Sequence, residues 1–377
     1  MLGEQAYTPQ EISAMGATAS GIREVPAGDE TQVSDAEDMQ PRSRQARILL
    51  VKTSSLGDVV HMLPAVSDAA RCCHGLGIDW VVEEGYSAIP SWHPHVQEVL
   101  PVALRRWRRN LARRSTWQEI RALRSQFRRQ DYAAVIDSQG LYKSALLASW
   151  ARGPRWGYDQ KSAREPLVAR VYQRTVAVPW DLHAIERNRR LLAAALNYRH
   201  EGLPLDYGLT AMRTRLPSDL PQPYVVGLHG TSRAQKEWPL SHWLQLGRWL
   251  DAQGVSLLLP WGSRAERKRA EHIASAASGV HVLPRLDLNA LAAVLVHAAS
   301  VVGVDTGLMH VAAALGCSGL AFYCATDPNR TGVTSGSVSA AIHNLVAAEA
   351  LSWEAVERRL PALLEGDSWA AGRISHA

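Results

Sequence analysis

Residues 47–66 read RILLVKTSSLGDVVHMLPAV, and this stretch decides the fold of the first half of the chain. Residues 48–51 are a short run of branched apolar side chains, which is typical of a buried parallel strand. Small turn-forming residues and Gly57 follow, and an apolar-periodic helix begins at Asp58. Open α/β sheets bind their ligands at the carboxyl ends of such strands. Asp58 is therefore either a helix cap only or also an active-site carboxylate.

The same order of strand, polar turn and helix recurs along the chain. The full order is visible at 131–150, 255–273 and 299–316, and further strands are predicted at 78–86, 95–103 and 224–230. Alternation of this kind predicts an α/β fold with parallel sheets covered by helices on both faces. Residues 198–222 lose the periodicity and gain prolines, which indicates a domain boundary there. We also expect a C-terminal helix over 347–364 that packs back across the domains.

The charge of the chain is unevenly distributed. The net charge is +5, yet residues 1–44 hold eight acids and three arginines without any sustained period. That composition predicts a disordered acidic extension and leaves the rest of the chain basic. A basic body suggests an anionic partner, such as nucleic acid, a phospholipid surface or a phosphorylated substrate.

Residues 105–129 concentrate the positive charge, with ten arginines against the single acid Glu119. The block is either a solvated helix face or a surface for phosphates, which suit the arginine fork. Trp107 and Trp117 are interleaved with the arginines. No RRM, zinc-finger or helix-turn-helix signature accompanies the block, so we do not expect a nucleic-acid partner.

Missing motifs exclude several classes of function. The sequence has no Walker A motif and no GxGxxG, which disfavours P-loop NTPases and ordinary dehydrogenases. No HExxH or His/Cys cluster predicts a metal site. The four cysteines form no CxxC pair, as expected of free thiols in a reducing compartment. No run of eighteen apolar residues indicates a membrane span, and no secretory signal is visible. We therefore predict a cytoplasmic protein.

The second half carries two candidate anion sites. Thr231, Ser232 and Lys236 follow the strand at 224–230, and hydroxyls, amides and an ammonium at a strand end suit a diphosphate. The alternative is an ordinary polar loop. Asp305, Thr306 and Gly307 precede a helix that contains His310, and the free amides of a helix start attract anions. Asp305 is otherwise a cap and His310 a packed histidine, and Glu266 by default caps its own helix.

A resemblance to a known family is carried by the segments KTSSLGDV, VIDSQGLYKSA, AREPL, HGTSRAQKEWP, LPWGS and VDTGLMH. Through these segments, residues 46–365 resemble glycosyltransferase family 9. The resemblance implies a GT-B fold, in which two Rossmann-like domains face each other across a cleft. It divides the chain into an N-terminal acceptor-binding domain (45–200), a linker (201–222), a C-terminal ADP-heptose-binding domain (223–346) and a C-terminal helix and tail (347–377). It implies inverting transfer of L-glycero-D-manno-heptose from ADP-heptose to the first Kdo of Kdo2-lipid A, in lipopolysaccharide inner-core biosynthesis.

The resemblance also assigns roles to residues. Asp58 would be the general base that takes the proton of the acceptor hydroxyl. The donor-binding residues would be Thr231, Ser232, Lys236, Glu266, Leu286, Asp305, Thr306, Gly307 and His310. The acceptor-binding residues would be Arg105, Arg106, Arg108, Lys143 and Arg164. The implied partners are ADP-heptose, Kdo2-lipid A and the cytoplasmic face of the inner membrane, met peripherally, with no metal or other cofactor.

Two departures from the family pattern matter. Ser232 replaces a second threonine but keeps the hydroxyl, and the segment CATDPNRTGV lacks the usual Gly-Pro before Thr-Asp-Pro. The second departure puts the donor role of that loop in doubt. Other functions stay open: a heptosyltransferase that acts on a heptose acceptor, a GT-B-fold nucleotide-sugar 2-epimerase, and a non-catalytic sugar-nucleotide or nucleic-acid binder.

Overall fold

The computed structural model describes residues 46–209, 219–275, 277–336 and 341–364. The predicted acidic extension at 1–44, part of the predicted linker and the last thirteen residues lie outside these ranges. Within them the chain forms two parallel sheets of six strands each. The strands of the first sheet are β1 (Arg47–Val51), β2 (Gly77–Glu83), β3 (Val96–Val102), β4 (Ala134–Asp137), β5 (Arg155–Tyr158) and β6 (Arg174–Val176).

Seven helices of the described residues accompany the first sheet. They are α1 (Leu56–Val60), α2 (Leu63–Cys72), α3 (Ala88–Ser91), α4 (Leu104–Arg109), α5 (Arg114–Phe127), α6 (Tyr142–Ala148) and α7 (Ala184–Leu196). Short 3₁₀ turns lie at Glu84–Tyr86 and Pro166–Val171. The spatial order of the strands is β3-β2-β1-β4-β5-β6, which is the doubly wound order of nucleotide-binding sheets.

The second sheet repeats this topology. Its strands are β7 (Tyr224–Leu228), β8 (Ser256–Leu259), β9 (Val280–Val282), β10 (Ser300–Val304), β11 (Gly319–Tyr323) and β12 (Ile342–Val346). The spatial order of these strands is β12-β11-β10-β7-β8-β9. Read from the opposite edge as β9-β8-β7-β10-β11-β12, it matches β3-β2-β1-β4-β5-β6 of the first sheet strand for strand. Its helices are α8 (Leu240–Ala252), α9 (Arg264–Ala274), α10 (Leu288–Val296), α11 (Gly307–Ala314), α12 (Ala347–Ala350) and α13 (Trp353–Glu357).

Strand β1 is buried on both faces, as its continuous apolar sequence predicts. Ile48 and Leu50 belong to one hydrophobic cluster, whereas Leu49 and Val51 belong to another on the opposite face of the sheet. The cluster of Ile48 also contains side chains of the second domain, including Val226 of β7. The apolar core is thus continuous between the domains. The strands β5, β6 and β12 were not predicted, because they are short and mix apolar with polar residues.

The prediction of one continuous helix over 347–364 is wrong. The segment forms α12, α13 and a 3₁₀ turn at Pro361–Leu364. Ser352 interrupts it, since its Oγ accepts a hydrogen bond from Ala355 N and so caps α13, and Pro361 lacks the amide that a continuing helix requires. Ala350, Val356, Leu360 and Leu364 pack into the core of the second domain and not across both domains. No helix in the described ranges is long and apolar enough to cross a membrane.

Candidate active site at the domain interface

Both sheets have a point where the strand order reverses, and the candidate site lies at these points. In the first sheet β1 pairs with both β2 and β4, and in the second β7 pairs with both β8 and β10. Loops that leave the carboxyl ends of such neighbouring strands diverge and leave a crevice. The loops after β1 and β4 carry Asp58 and Gln139, and those after β7 and β10 carry Thr231 and Asp305.

Asp58 caps its helix through one carboxylate oxygen. Its Oδ2 accepts hydrogen bonds from Ser55 N at 2.8 Å and from Ser55 Oγ at 2.9 Å. The predicted N-cap position is wrong, because the helix begins at Leu56 and its N-cap is Ser55. Asp58 is the third helical residue and completes a capping box by accepting from the Ser55 amide. The other oxygen, Oδ1, has no hydrogen-bond partner among the described residues, and Asp58 lines an open cavity of the first domain. One carboxylate can thus cap the helix and still accept a proton.

The loop that presents Asp58 is held by the loop after β4. Gln139 Oε1 accepts hydrogen bonds from the amides of Thr53 at 3.1 Å and Ser54 at 3.2 Å. Buried Lys52 donates from Nζ to Ser138 O at 2.9 Å. Burial lowers the pKa of Lys52, and the carboxylate of Asp58 opposes that effect. The two loops therefore form one hydrogen-bonded unit at the floor of the cavity.

In the second domain, Asp305 is the centre of a polar cluster. Its Oδ2 accepts from Lys236 Nζ at 2.5 Å and from Thr326 Oγ1 at 2.7 Å, and its backbone carbonyl accepts from Thr231 Oγ1 at 3.4 Å. Lys236 lies on a one-turn 3₁₀ helix, and only about a fifth of its side chain is exposed. Three residues predicted for the donor thus come together, and Thr326 joins them from the loop whose role was in doubt.

The first turn of α11 begins directly after Asp305. Thr306 is the N-cap residue, its side chain makes no capping hydrogen bond, and Gly307 opens the helix. The helix start therefore keeps amides available for a negatively charged group. Ser232 is exposed on the neighbouring loop.

Glu266 and Leu286 lie farther along the second domain. Glu266 Oε2 accepts from Gly262 N at 2.6 Å and from Ser263 N at 3.1 Å, which confirms the cap interpretation. Its side chain also borders the loop after β7 at Gly230. A Cβ added to Gly230 would lie 2.9 Å from Cδ of Glu266. Leu286 is half-buried. Their predicted contacts with ribose and adenine stay predictions.

Two glycines bring α1 of the first domain against α11 of the second. A Cβ on Gly57 would lie 2.8 Å from Cδ2 of His310, and a Cβ on Gly307 would lie 2.7 Å from Cβ of Leu56. Any larger side chain would push the helices apart. His61 adds a polar contact beside them, with 3.1 Å between its Nε2 and Nδ1 of His310. Asp58 follows Gly57 directly, so the candidate base stands next to the candidate donor helix.

The predicted acceptor residues are divided between two places. Arg164 lines the cavity that contains Asp58, and Lys143 is exposed on nearby α6. Arg105, Arg106 and Arg108 lie on α4 and do not line this cavity. Arg106 is engaged in ion pairs with Glu84 at 3.0 Å and Glu119 at 2.9 Å. Arg105 donates its backbone amide to Glu83, and its guanidinium lies over the ring of Tyr86.

Several residues of the site were not predicted to be site residues from the sequence. They are Lys52, His61, Gln139, Trp180, Arg330 and Thr326. Lys52 and Gln139 stand beside predicted strand ends, so the topology could have suggested them. The others meet the site through contacts between distant parts of the chain, for which no local pattern exists. Among the described residues, no group of three or more His, Cys, Asp or Glu has an arrangement that could hold a metal ion.

Comparison with known proteins relates the site to an enzyme family. Residues 120–358 match glycosyltransferase family 9 (heptosyltransferase). Lipopolysaccharide heptosyltransferase 1 of Pseudomonas aeruginosa is 49% identical over 288 residues, which are 76% of this chain and 81% of the relative. Lipopolysaccharide heptosyltransferase 1 of Escherichia coli K12 is 44% identical, over 76% of this chain and 90% of the relative.

Solved structures agree with these relatives. E. coli heptosyltransferase WaaC with ADP superposes with a TM-score of 0.78 at 40% identity, covering 84% of this chain and 99% of the other. The predicted GT-B fold is thereby confirmed. E. coli ADP-heptose LPS heptosyltransferase II, with a TM-score of 0.66 at 18% identity over 84% of this chain and 98% of the other, shares the fold.

Proposed function

The chain belongs to glycosyltransferase family 9 (heptosyltransferase), and we propose that it moves L-glycero-D-manno-heptose from ADP-heptose to the first Kdo of Kdo2-lipid A. It is a glycosyltransferase of lipopolysaccharide inner-core biosynthesis, and its similar relatives are heptosyltransferases of type 1. A related structure of E. coli WaaC contains ADP-2-deoxy-2-fluoro heptose, which supports ADP-heptose as the donor here.

One observation supports the proposal above all others. The carboxylate of Asp58 has a free oxygen at the point where the strand order of the first sheet reverses. The adjoining Gly57 contacts His310 on α11, which begins at the corresponding point of the second sheet. A base beside a diphosphate-binding helix is what direct transfer of a sugar between two bound substrates requires.

In the proposed reaction, Oδ1 of Asp58 accepts the proton of the acceptor hydroxyl. The hydroxyl oxygen forms a bond to the anomeric carbon of the heptose, on the face opposite the diphosphate. The bond between that carbon and the diphosphate oxygen breaks, and ADP leaves with the bonding electrons. The configuration at the anomeric carbon is therefore inverted. A positioned base contributes about 10²–10⁴-fold to such a step.

The second domain would stabilise the leaving group. ADP gains negative charge as the bond breaks, and Lys236 with the first amides of α11 can receive that charge. Thr231 and Ser232 would donate hydroxyl hydrogen bonds to the diphosphate. Asp305 holds Lys236 in position through their ion pair. Because the carboxylate of Asp305 and the diphosphate are both negative and repel each other, Asp305 would face the hydroxyls of the heptose when the donor is bound.

The acceptor side has an exposed surface that suits a lipid-linked substrate. Tyr142 and Leu146 lie on one face of α6, and Leu167 lies on the 3₁₀ turn that packs against α6; each is about half exposed. Lys143 and Arg164 are exposed beside them. Exposed apolar side chains beside cations fit the boundary of an anionic bilayer, so we expect peripheral membrane binding here.

Vesicle binding tests this surface. The double variant Leu146→Ser/Leu167→Ser should sediment less with vesicles that contain anionic lipid, whereas Leu111→Ser, an equally exposed position after α4, should sediment like the wild type. Equal sedimentation of all three proteins would contradict the assignment of this face. Transfer to a deacylated, water-soluble acceptor should be unaffected in every case.

The experiment that decides the reaction is incubation of the purified protein with ADP-heptose and Kdo2-lipid A, followed by mass spectrometry. We expect the acceptor to gain the mass of one heptose. The alternative is a heptosyltransferase that acts on the first heptose, but the structure of that type is only 18% identical. Transfer only to an acceptor that already carries a heptose would favour the alternative.

A further inference from the structure

Arg330 belongs to the second domain but lines the cavity of the first. It follows β11 in the loop that also contains Thr326, and the cavity it reaches is lined by Asp58, Lys52 and Arg164. Two hydrogen bonds fix this loop on the first domain. Ala184 N donates to Arg330 O at 2.8 Å, and His183 Nε2 lies 3.0 Å from Gly332 O.

Trp180 supports the guanidinium of Arg330 from the first domain. The ring is 40% exposed, and Arg330 Cζ lies 5.1 Å from its centroid. Arg187 Cζ lies 4.2 Å from the same centroid. Stacking on an aromatic ring orients a guanidinium while leaving its N–H groups available. The side chain of Arg330 is thereby held at the wall of the cavity.

Arg330 and Arg187 differ in what their N–H groups do. Arg187 donates to the backbone carbonyls of Val178, Pro179 and Ser162, so its role is structural. Neither Arg330 nor Arg164 makes an ion pair or a side-chain hydrogen bond with any described residue. Among the described residues that line the cavity, Arg164 and Arg330 thus have guanidinium donors that are unused, next to buried Lys52, and Asp58 is the single carboxylate.

Such a set of donors is suited to a carboxylate or a phosphate. An anion between the guanidinium groups would also relieve the repulsion among the four cations of the lining, which are Lys52, Arg164, Arg187 and Arg330. A sugar acceptor that carries such a group would enter the cavity with a hydroxyl near Asp58. A donor diphosphate has its own candidate site at Lys236 and the first amides of α11, and Lys236 does not line this cavity.

We propose that Arg164 and Arg330 bind one anionic group of the acceptor, a carboxylate or a phosphate, from the two domains at once. This proposal rests on the proposed function for the identity of the acceptor. It adds a residue of the donor domain to acceptor binding, and it has a consequence for the order of events. Because Arg164 and Arg330 belong to different domains, an acceptor that binds both favours the closed cleft and tightens the binding of ADP.

The test compares Arg330→Gln, Arg330→Lys and the control Arg248→Gln, an exposed arginine on α8 that does not line the cavity. Calorimetry with deacylated Kdo2-lipid A should give a Kd about 10- to 100-fold higher for Arg330→Gln, as expected on losing a charge-assisted pair. Arg330→Lys should recover part of the affinity, and Arg248→Gln all of it. The Kd for ADP alone should be unchanged in all three variants.

Two further measurements identify which anionic group of the acceptor is bound and whether acceptor binding changes the affinity for ADP. Free Kdo carries only a carboxylate, so weakened binding of free Kdo to Arg330→Gln assigns the carboxylate, and weakening confined to the phosphorylated acceptor assigns a phosphate. In the wild type, saturating acceptor should lower the Kd for ADP, and Arg330→Gln should reduce that effect. An unchanged acceptor Kd in Arg330→Gln, or an equal loss of ADP affinity, would overturn the proposal. Failure of heptose transfer by the wild type would instead contradict the proposed function, since these binding measurements do not depend on turnover.

Discussion

His61 of the first domain and His310 of the second share a hydrogen bond, with 3.1 Å between Nε2 of His61 and Nδ1 of His310. Both side chains are buried, and burial lowers both pKa values, that of His310 to about 4. Both rings are therefore neutral near pH 7, and one proton lies between them. Nδ1 of His61 is buried without a partner among the described residues. A buried N–H without an acceptor is rare, so His61 Nε2 is the donor and His310 carries its proton on Nε2, beside Gly57.

The depressed pKa of His310 predicts how stability depends on pH. Its ordinary pKa is 6.5 and its folded pKa is about 4, so between these values the unfolded chain binds a proton that the folded chain does not. The free energy of unfolding should therefore fall as the pH drops from about 6.5 to about 4. The charged and titratable groups that act on His310 are Asp305, Asp58, His183, Lys236 and His61.

Thermal unfolding measured across this pH range checks the prediction. His310→Gln should show a shallower loss of Tm than the wild type. His281→Gln, an exposed position on β9, should follow the wild type and serves as the control. Parallel curves for His310→Gln and the wild type would show that His310 does not take part in the effect.

Lys236→Ala should weaken the binding of ADP by about 10- to 100-fold, because a charge-assisted contact with the diphosphate is lost. The variant also leaves the Asp305 carboxylate without its cation, which adds repulsion toward the ligand. Calorimetric titration with ADP measures the change. Lys268→Ala, on the exposed side of α9, is the matched control and should bind ADP normally. Normal ADP affinity in Lys236→Ala would remove Lys236 from the donor site.

Thr326 tests whether the loop that departs from the family pattern still serves the donor. Its Oγ1 donates to Asp305 Oδ2 at 2.7 Å, on the same oxygen that Lys236 approaches. Thr326→Ala should raise the KM for ADP-heptose by about 5- to 10-fold, since one neutral hydrogen bond to a charged group is lost. Thr326→Ser keeps the hydroxyl and should restore the wild-type KM. A serine variant as impaired as the alanine variant would point to packing and not to the hydrogen bond.

The sequence predicted most of the parallel-sheet architecture, for a physical reason. Buried parallel strands are continuous apolar runs, and Gly57, Asp58 and Asp305 stand at their ends, where the doubly wound order brings ligands. The local spacing placed Asp58 at the start of a helix, but the N-cap is Ser55 and Asp58 supports it from the first turn. The predicted domain boundaries and the roles of the site residues rest on the family resemblance and stay predictions.

What the sequence did not reveal depends on contacts between distant residues. His61 and His310 are 249 positions apart, and Arg330 meets Trp180 only because two loops of different domains pack together. The acceptor arginines on α4 were grouped with Arg164 by charge, although Arg106 is engaged by Glu84 and Glu119. Charge along a sequence does not tell which cations are already paired.

The central claim is that Asp58 is the base as well as the cap of its helix, and Asp58→Asn separates the two roles. The amide oxygen of asparagine can still accept the hydrogen bond from Ser55 N, but it cannot take a proton at neutral pH. The measurement is kcat with ADP-heptose and Kdo2-lipid A, together with the Kd for ADP and the Tm. We predict a kcat lower by about 10²–10⁴-fold with an unchanged Kd and Tm. A wild-type kcat in Asp58→Asn would contradict the account.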